Sequence, residues 1–157
     1  MYLRNFVFGV EDSLVSTVGL LSGIAIVGTP AKTIILTGVV LIFVEAFSMA
    51  VGSFLSERSS DEYIARATAA TRPTAIAGAI MFASYFIAGF VPLLPYFFTD
   101  PKSAFTMSIL FSLVALFVLG GVSARFSSSN VLKTGARMLF VGGIAIAVGV
   151  TVGKLIG

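Results

Sequence analysis

The sequence has no cysteine and no histidine. Without cysteine there is no disulfide and no thiolate metal site, and the redox compartment leaves no mark on the chain. Without histidine, the commonest general base and the commonest transition-metal ligand are both missing. Charge is scarce as well: 11% of the 157 residues are Asp, Glu, Lys or Arg, while 57% are hydrophobic. Soluble domains carry about 25% charged residues, so this chain has too little polar surface to face water on all sides. That shortage excludes a soluble enzyme, a disordered chain and a nucleic-acid-binding domain. The ten Lys and Arg residues leave a net charge of +3, but they stand singly between apolar stretches. Nucleic acid needs a basic run or stripe, and none is present. Any chemistry must use carboxylates, hydroxyls, methionine sulfur or backbone carbonyls.

What the sequence has in quantity is long apolar stretches. Five of them approach the ~20 residues that a spanning helix requires. They cover about residues 5–28, 33–55, 73–98, 103–124 and 131–155. The pattern predicts an all-α membrane protein, multi-pass and in contact with lipid, forming one transmembrane domain over residues 1–157. The N-terminus is not read as a secretory leader, because Glu11 and Asp12 interrupt the apolar region and no small-residue cleavage site follows. The connections are short and rich in turn formers, with Pro30 in the first and Asp100-Pro101 in the third. The longest, residues 56–72, is expected as a short polar loop that either extends the second segment or leads into the third as an amphipathic helix. Arg4, Arg58, Arg66, Arg72, Arg125, Lys133 and Arg137 fall on one side of the membrane so drawn, and Lys32, Lys102 and Lys154 on the other. The richer side marks the cytoplasm. The N-terminus and residues 56–72 are therefore expected to be cytoplasmic. Five helices cannot form two equal inverted halves, so a pathway related by symmetry needs a second subunit.

Of the seven acids, Glu57, Asp61, Glu62 and Asp100 fall in connections, whereas Glu11, Asp12 and Glu45 fall inside the first two segments. An Asp at the centre of a spanning helix costs ~2.5–3.5 kcal/mol on insertion scales. Such groups face a bundle interior or a wet cavity and mark ion or proton paths. The alternatives are a neutral acid hydrogen-bonded to a neighbouring helix for Glu45, and positions facing headgroup water for Asp12 and Glu11. At 1.5 Å per residue, Asp12 lies on the order of 10 Å from the start of segment one, and Met49 roughly 9 Å from the same face. Met49 is thus expected level with Asp12, and Glu45 one turn deeper on the same face as Met49. Ser48 and Gly52 flank that face, and Asp12, Ser16 and Gly19 form a similar stripe. Glu11 points about 100° away from Asp12 around the helix. Carboxylate oxygens hold a divalent cation, and a thioether biases the site toward transition metals over Ca²⁺ or Mg²⁺. Packing is the alternative for Met49. The Gly19-Leu20-Leu21-Ser22-Gly23 pattern predicts close helix contact, and Pro92 and Pro95 predict a kink or end of the third segment.

These residues resemble the vacuolar iron transporter family. Residues 4–15 (RNFVFGVEDSLV) are similar to that family's first-helix signature, and residues 45–56 (EAFSMAVGSFLS) to its second-helix signature. Pro92-Leu93-Leu94-Pro95-Tyr96 is similar to the end of its third helix. The resemblance implies a homodimeric five-helix transporter that moves Fe²⁺, and by extension Mn²⁺ or other divalent metals, out of the cytosol by proton antiport. It assigns Asp12 and Met49 to the translocation path, with Glu45 at the acidic position of the second-helix motif; Glu11, Ser16 and Ser48 are secondary candidates. Ser13 and Ala46 replace motif glycines, and Leu41 stands where some members carry a further acid. The long Glu-rich cytosolic helices of eukaryotic members are missing from residues 56–72. The resemblance is therefore to a short member, resident in the plasma membrane if prokaryotic and in a vacuolar-type membrane if eukaryotic. No prosthetic group and no enzymatic activity are expected, and the partners are metal ions, protons, lipid and a second copy, with no nucleic acid. Burial favours a neutral carboxyl and a bound cation favours the ionised form, so metal entry displaces protons. The competing readings are a passive cation channel or carrier and a non-transporting scaffold or accessory subunit.

Overall fold

Backbone groups in an apolar stretch find no water to bond, so each stretch satisfies its N–H and C=O groups internally as a helix. The computed structural model describes residues 2–65 and 71–157, and among them there is no strand. The elements are α1 (Tyr2–Ala25), α2 (Ala31–Ala65), α3 (Thr71–Leu93), α4 (Pro95–Phe98), α5 (Pro101–Phe126) and α6 (Val131–Ile156). All but the one-turn α4 contain a stretch long and apolar enough to cross a membrane. The chain is an integral, multi-pass membrane protein.

Local chemistry explains where the helices begin and end. Gly28, at φ +82°, adopts the left-handed conformation that closes α1, and its N–H reaches the Ala25 carbonyl at 3.1 Å. Pro95 cannot continue the hydrogen-bond ladder of α3, which stops at Leu93 and restarts as α4 with Pro95 in its first turn. The Asp100 carboxylate accepts from the Ser103 N–H at 3.1 Å, with Pro101 at the first position of α5. That contact holds the Asp100 carboxyl below its ordinary value. Asn130 caps α6 in the same way, accepting from the Lys133 N–H at 3.0 Å.

One boundary departs from expectation. Residues 56–65 are not loop but the continuation of α2, which makes one helix of 35 residues. Of the two arrangements open to this polar stretch, it extends the second segment. Glu57, Arg58, Glu62 and Ala65 are good helix formers, and they let the helix run on beyond its apolar part.

α1 lies at the centre of the bundle, packed against α3 and α6 and touching α5 and α2, while α2 lies mainly against α3. The α1–α6 contact depends on small residues. A methyl group added at Gly23 would stand 2.7 Å from the Gly149 carbonyl oxygen, and Gly19 faces Ala145 and Gly149. The Gly19/Gly23 pattern thus makes a close contact inside the chain, where its partners are Gly149 and Gly153 of α6. A second approach joins Gly120 of α5 to Gly135 of α6. Ile34, Gly38, Ile42 and Ala46 form the buried stripe of α2. Phe43, Phe47, Val51 and Leu55 remain exposed on its outer side.

One end of the bundle carries the start of α1, the close of α2, the start of α3 and the α5–α6 turn. Arg4, Arg58, Arg125 and Lys133 lie toward it, with Arg137 further along α6. Lys32, Lys102 and Lys154 lie toward the other end. Arg66 lies outside the described residues.

Candidate metal path along the first three helices

α1 and α2 run antiparallel, and one hydrogen bond fixes their register. Asn5 is 2% exposed, and its Nδ2 donates to Ser53 Oγ at 2.9 Å. Seven residues inward from each of these positions come Asp12 on α1 and Ala46 on α2, beside Glu45. Asp12 and Glu45 are both half-buried.

α3 completes this level. Ser13 donates its hydroxyl to the Tyr85 carbonyl at 2.6 Å, which ties α1 to α3. The buried Tyr85 side chain places its hydroxyl 2.8 Å from the Ser16 hydroxyl. The Ser16 and Tyr85 hydroxyls therefore lie one helical turn further into the bundle than Asp12. Two like charges repel strongly in an apolar bundle, and a cation or a proton relieves the repulsion. Among the described residues, no three acidic groups gather closely enough to hold a metal by themselves. A metal here needs oxygen or sulfur ligands beyond the carboxylates.

In the register of the Asn5–Ser53 bond, Met49 falls opposite Gly9, three residues from Asp12, and Ala46, next to Glu45, falls opposite Asp12. α1 starts at Tyr2 and α2 runs on to Ala65, so residues 5 and 55 are not the helix ends. Met49 and Ser48 line a cavity of about 560 Å³ whose wall also includes Arg4, Asn5, Glu57 and Met81. Across it Arg4 Nη2 donates to Glu57 Oε1 as an ion pair. Glu11 turns away from Asp12, into a separate cleft of about 410 Å³ bordered by Ser123 of α5 and by Ser127 just past its end.

Tyr85, Met81, Arg4 and Glu57, which border these helices' polar side chains, are not among the site candidates that the sequence offers. Tyr85 had a detectable signal, a polar ring inside the third apolar segment. Glu57 and Arg4 were assigned to connections or topology, because their meeting depends on the continuation of α2.

A sequence model of the VIT family matches residues 3–74 and 67–154. "Vacuolar iron transporter homolog 2" of Arabidopsis thaliana is 33% identical, over 99% of this chain and 85% of the relative. "Vacuolar iron transporter homolog 2" of Oryza sativa subsp. japonica is 31% identical, over 94% of this chain and 86% of the relative. "Vacuolar iron transporter 1" of Tulipa gesneriana is 35% identical across 46% of this chain and 30% of the relative. With both halves matched by one family and relatives aligned almost end to end, the chain belongs to the VIT family.

Proposed function

We propose that the protein carries a divalent transition-metal cation out of the cytosol across its membrane in exchange for protons, with Fe²⁺ as the principal cargo and Mn²⁺ as the next. Metal transport is supported by the family and by the names of the relatives. The observation that carries the reading is the Asn5–Ser53 bond, whose register sets Asp12 opposite Ala46, beside Glu45, on two antiparallel spanning helices. Isolated charges inside a membrane are disfavoured and mark ion or proton paths. A divalent cation neutralises both carboxylates at once, and its release leaves them to take up protons. Met49 and Ser48 line the approach, and Ser16 supplies an oxygen beside Asp12. Glu11 has the weakest claim, since its cleft opens on α5. The Arg-rich end, with the N-terminus, faces the cytosol by charge bias. The functional unit is a homodimer, because five helices leave a symmetric path incomplete in one chain.

The test is flux through the purified chain in liposomes loaded with a metal-sensitive dye and made acidic inside. Fe²⁺ entry should be coupled to loss of internal protons. Metal entry without proton loss would make the protein a passive channel or carrier, and no entry would make it a scaffold.

A further inference from the structure

We propose that the cavity between the N-terminal halves of α1 and α3 and the adjoining part of α2 is a second cation site. In it Glu57 receives a divalent transition-metal ion, and the Arg4 guanidinium holds the place of that ion when the site is empty. The inference rests on the transport reading and adds an entry station to it, nearer the membrane surface than Asp12 and Glu45.

The two members of the ion pair are unequally exposed. The Glu57 side chain is 14% exposed and that of Arg4 71%. A carboxylate with so little of its surface facing solvent is favoured by a cation beside it. The guanidinium, on a long side chain that already faces solvent, can leave without a large desolvation cost. Arg4 is therefore the exchangeable partner and Glu57 the fixed one.

The rest of the wall is a plausible ligand set. Asn5 spends its donors on Ser53 Oγ at 2.9 Å and the Ala77 carbonyl at 3.5 Å. A carbonyl only accepts, so this contact fixes which end of the amide is nitrogen. Among the described residues the Asn5 Oδ1 accepts no hydrogen bond, and it remains available to a cation. Met49 and Met81 add two thioethers from α2 and α3. Hard oxygens with soft sulfur favour transition metals over Mg²⁺ or Ca²⁺. A cavity of about 560 Å³ admits an ion that keeps part of its water.

The experiment is calorimetric titration of the full-length chain in detergent with Co²⁺, an air-stable stand-in for Fe²⁺. Wild type should show two classes of site. Glu57→Gln should remove one class and spare the class removed by Glu45→Gln. Arg4→Gln should tighten the Glu57 class by roughly tenfold, since a competing charge has gone. A misfolded variant loses affinity, so tightening in Arg4→Gln is not an effect of damage. Retention of both classes in Glu57→Gln, or unchanged affinity in Arg4→Gln, overturns the second site and leaves the transport reading intact. Conversely, a chain that binds Co²⁺ at Glu57 yet fails the liposome flux assay keeps the site and loses the transport reading.

Discussion

Glu45 stands between Val44 and Ala46 on a helix of high hydropathy, and Ala46 falls opposite Asp12 on the neighbouring span. Removing the Glu45 charge while keeping the shape is the cleanest residue-level test. Glu45→Gln should abolish metal-coupled proton movement in proteoliposomes, and unchanged coupling would remove Glu45 from the mechanism. Met49→Leu conserves volume and deletes sulfur, so it should weaken Fe²⁺ transport more than any Mg²⁺ leak; equal effects would reduce Met49 to packing. Tyr85→Phe loses the 2.8 Å bond to Ser16 and should lower stability by about 1 kcal/mol, read by thermal unfolding in detergent. Asp12, Glu45 and Met49 stand out in the sequence as charge and sulfur within apolar stretches. Their relative heights do not, because register depends on the Asn5–Ser53 contact, which joins residues 48 positions apart.

At the scale of the element, helix ends and helix contacts make separate predictions. Because the folded Asp100 carboxyl titrates below its ordinary value of 3.8, its cap contributes fully above that pH. The contribution is lost as pH falls through the lower folded value. Asp100→Asn keeps an acceptor oxygen and should remove this acid dependence from the unfolding profile. Gly149 and Gly143 lie on the same helix with opposite surroundings. A methyl at Gly149 would collide with the Gly19 carbonyl oxygen, whereas one at Gly143 meets nothing within 4 Å. Gly149→Ala should therefore destabilise by about 1–3 kcal/mol, and Gly143→Ala should stabilise by about 0.5–1 kcal/mol, both measured by thermal unfolding. The stops at Gly28 and Pro95 and the caps at Asp100 and Asn130 follow from local chemistry, and of these Pro95 and Asp100 were legible as turn or break signals in the sequence. The continuation of α2 through residues 56–65 was open between two arrangements, because a polar helix beyond the membrane leaves no apolar stripe to read.

For the whole molecule, five spans and the segregation of basic residues to one end were legible from composition and spacing, since both follow from the bilayer itself. The neighbours of each helix were not, because they depend on which small residues meet; the same Gly19/Gly23 pattern serves equally for a partner chain. Orientation has a direct test in a chain without native thiols. Ser129→Cys should resist an impermeant maleimide applied outside intact cells, and Lys102→Cys should react; the reverse pattern would invert the assignment. The pairing of α1 with α6 has a consequence for how the bundle is made. As the ribosome delivers the chain from its N-terminus, the groove along Gly19 and Gly23 stays without its mate until α6 emerges. Early spans must wait in lipid half-assembled, and lesions in α6 should be felt as failed maturation of the entire protein rather than as a local defect.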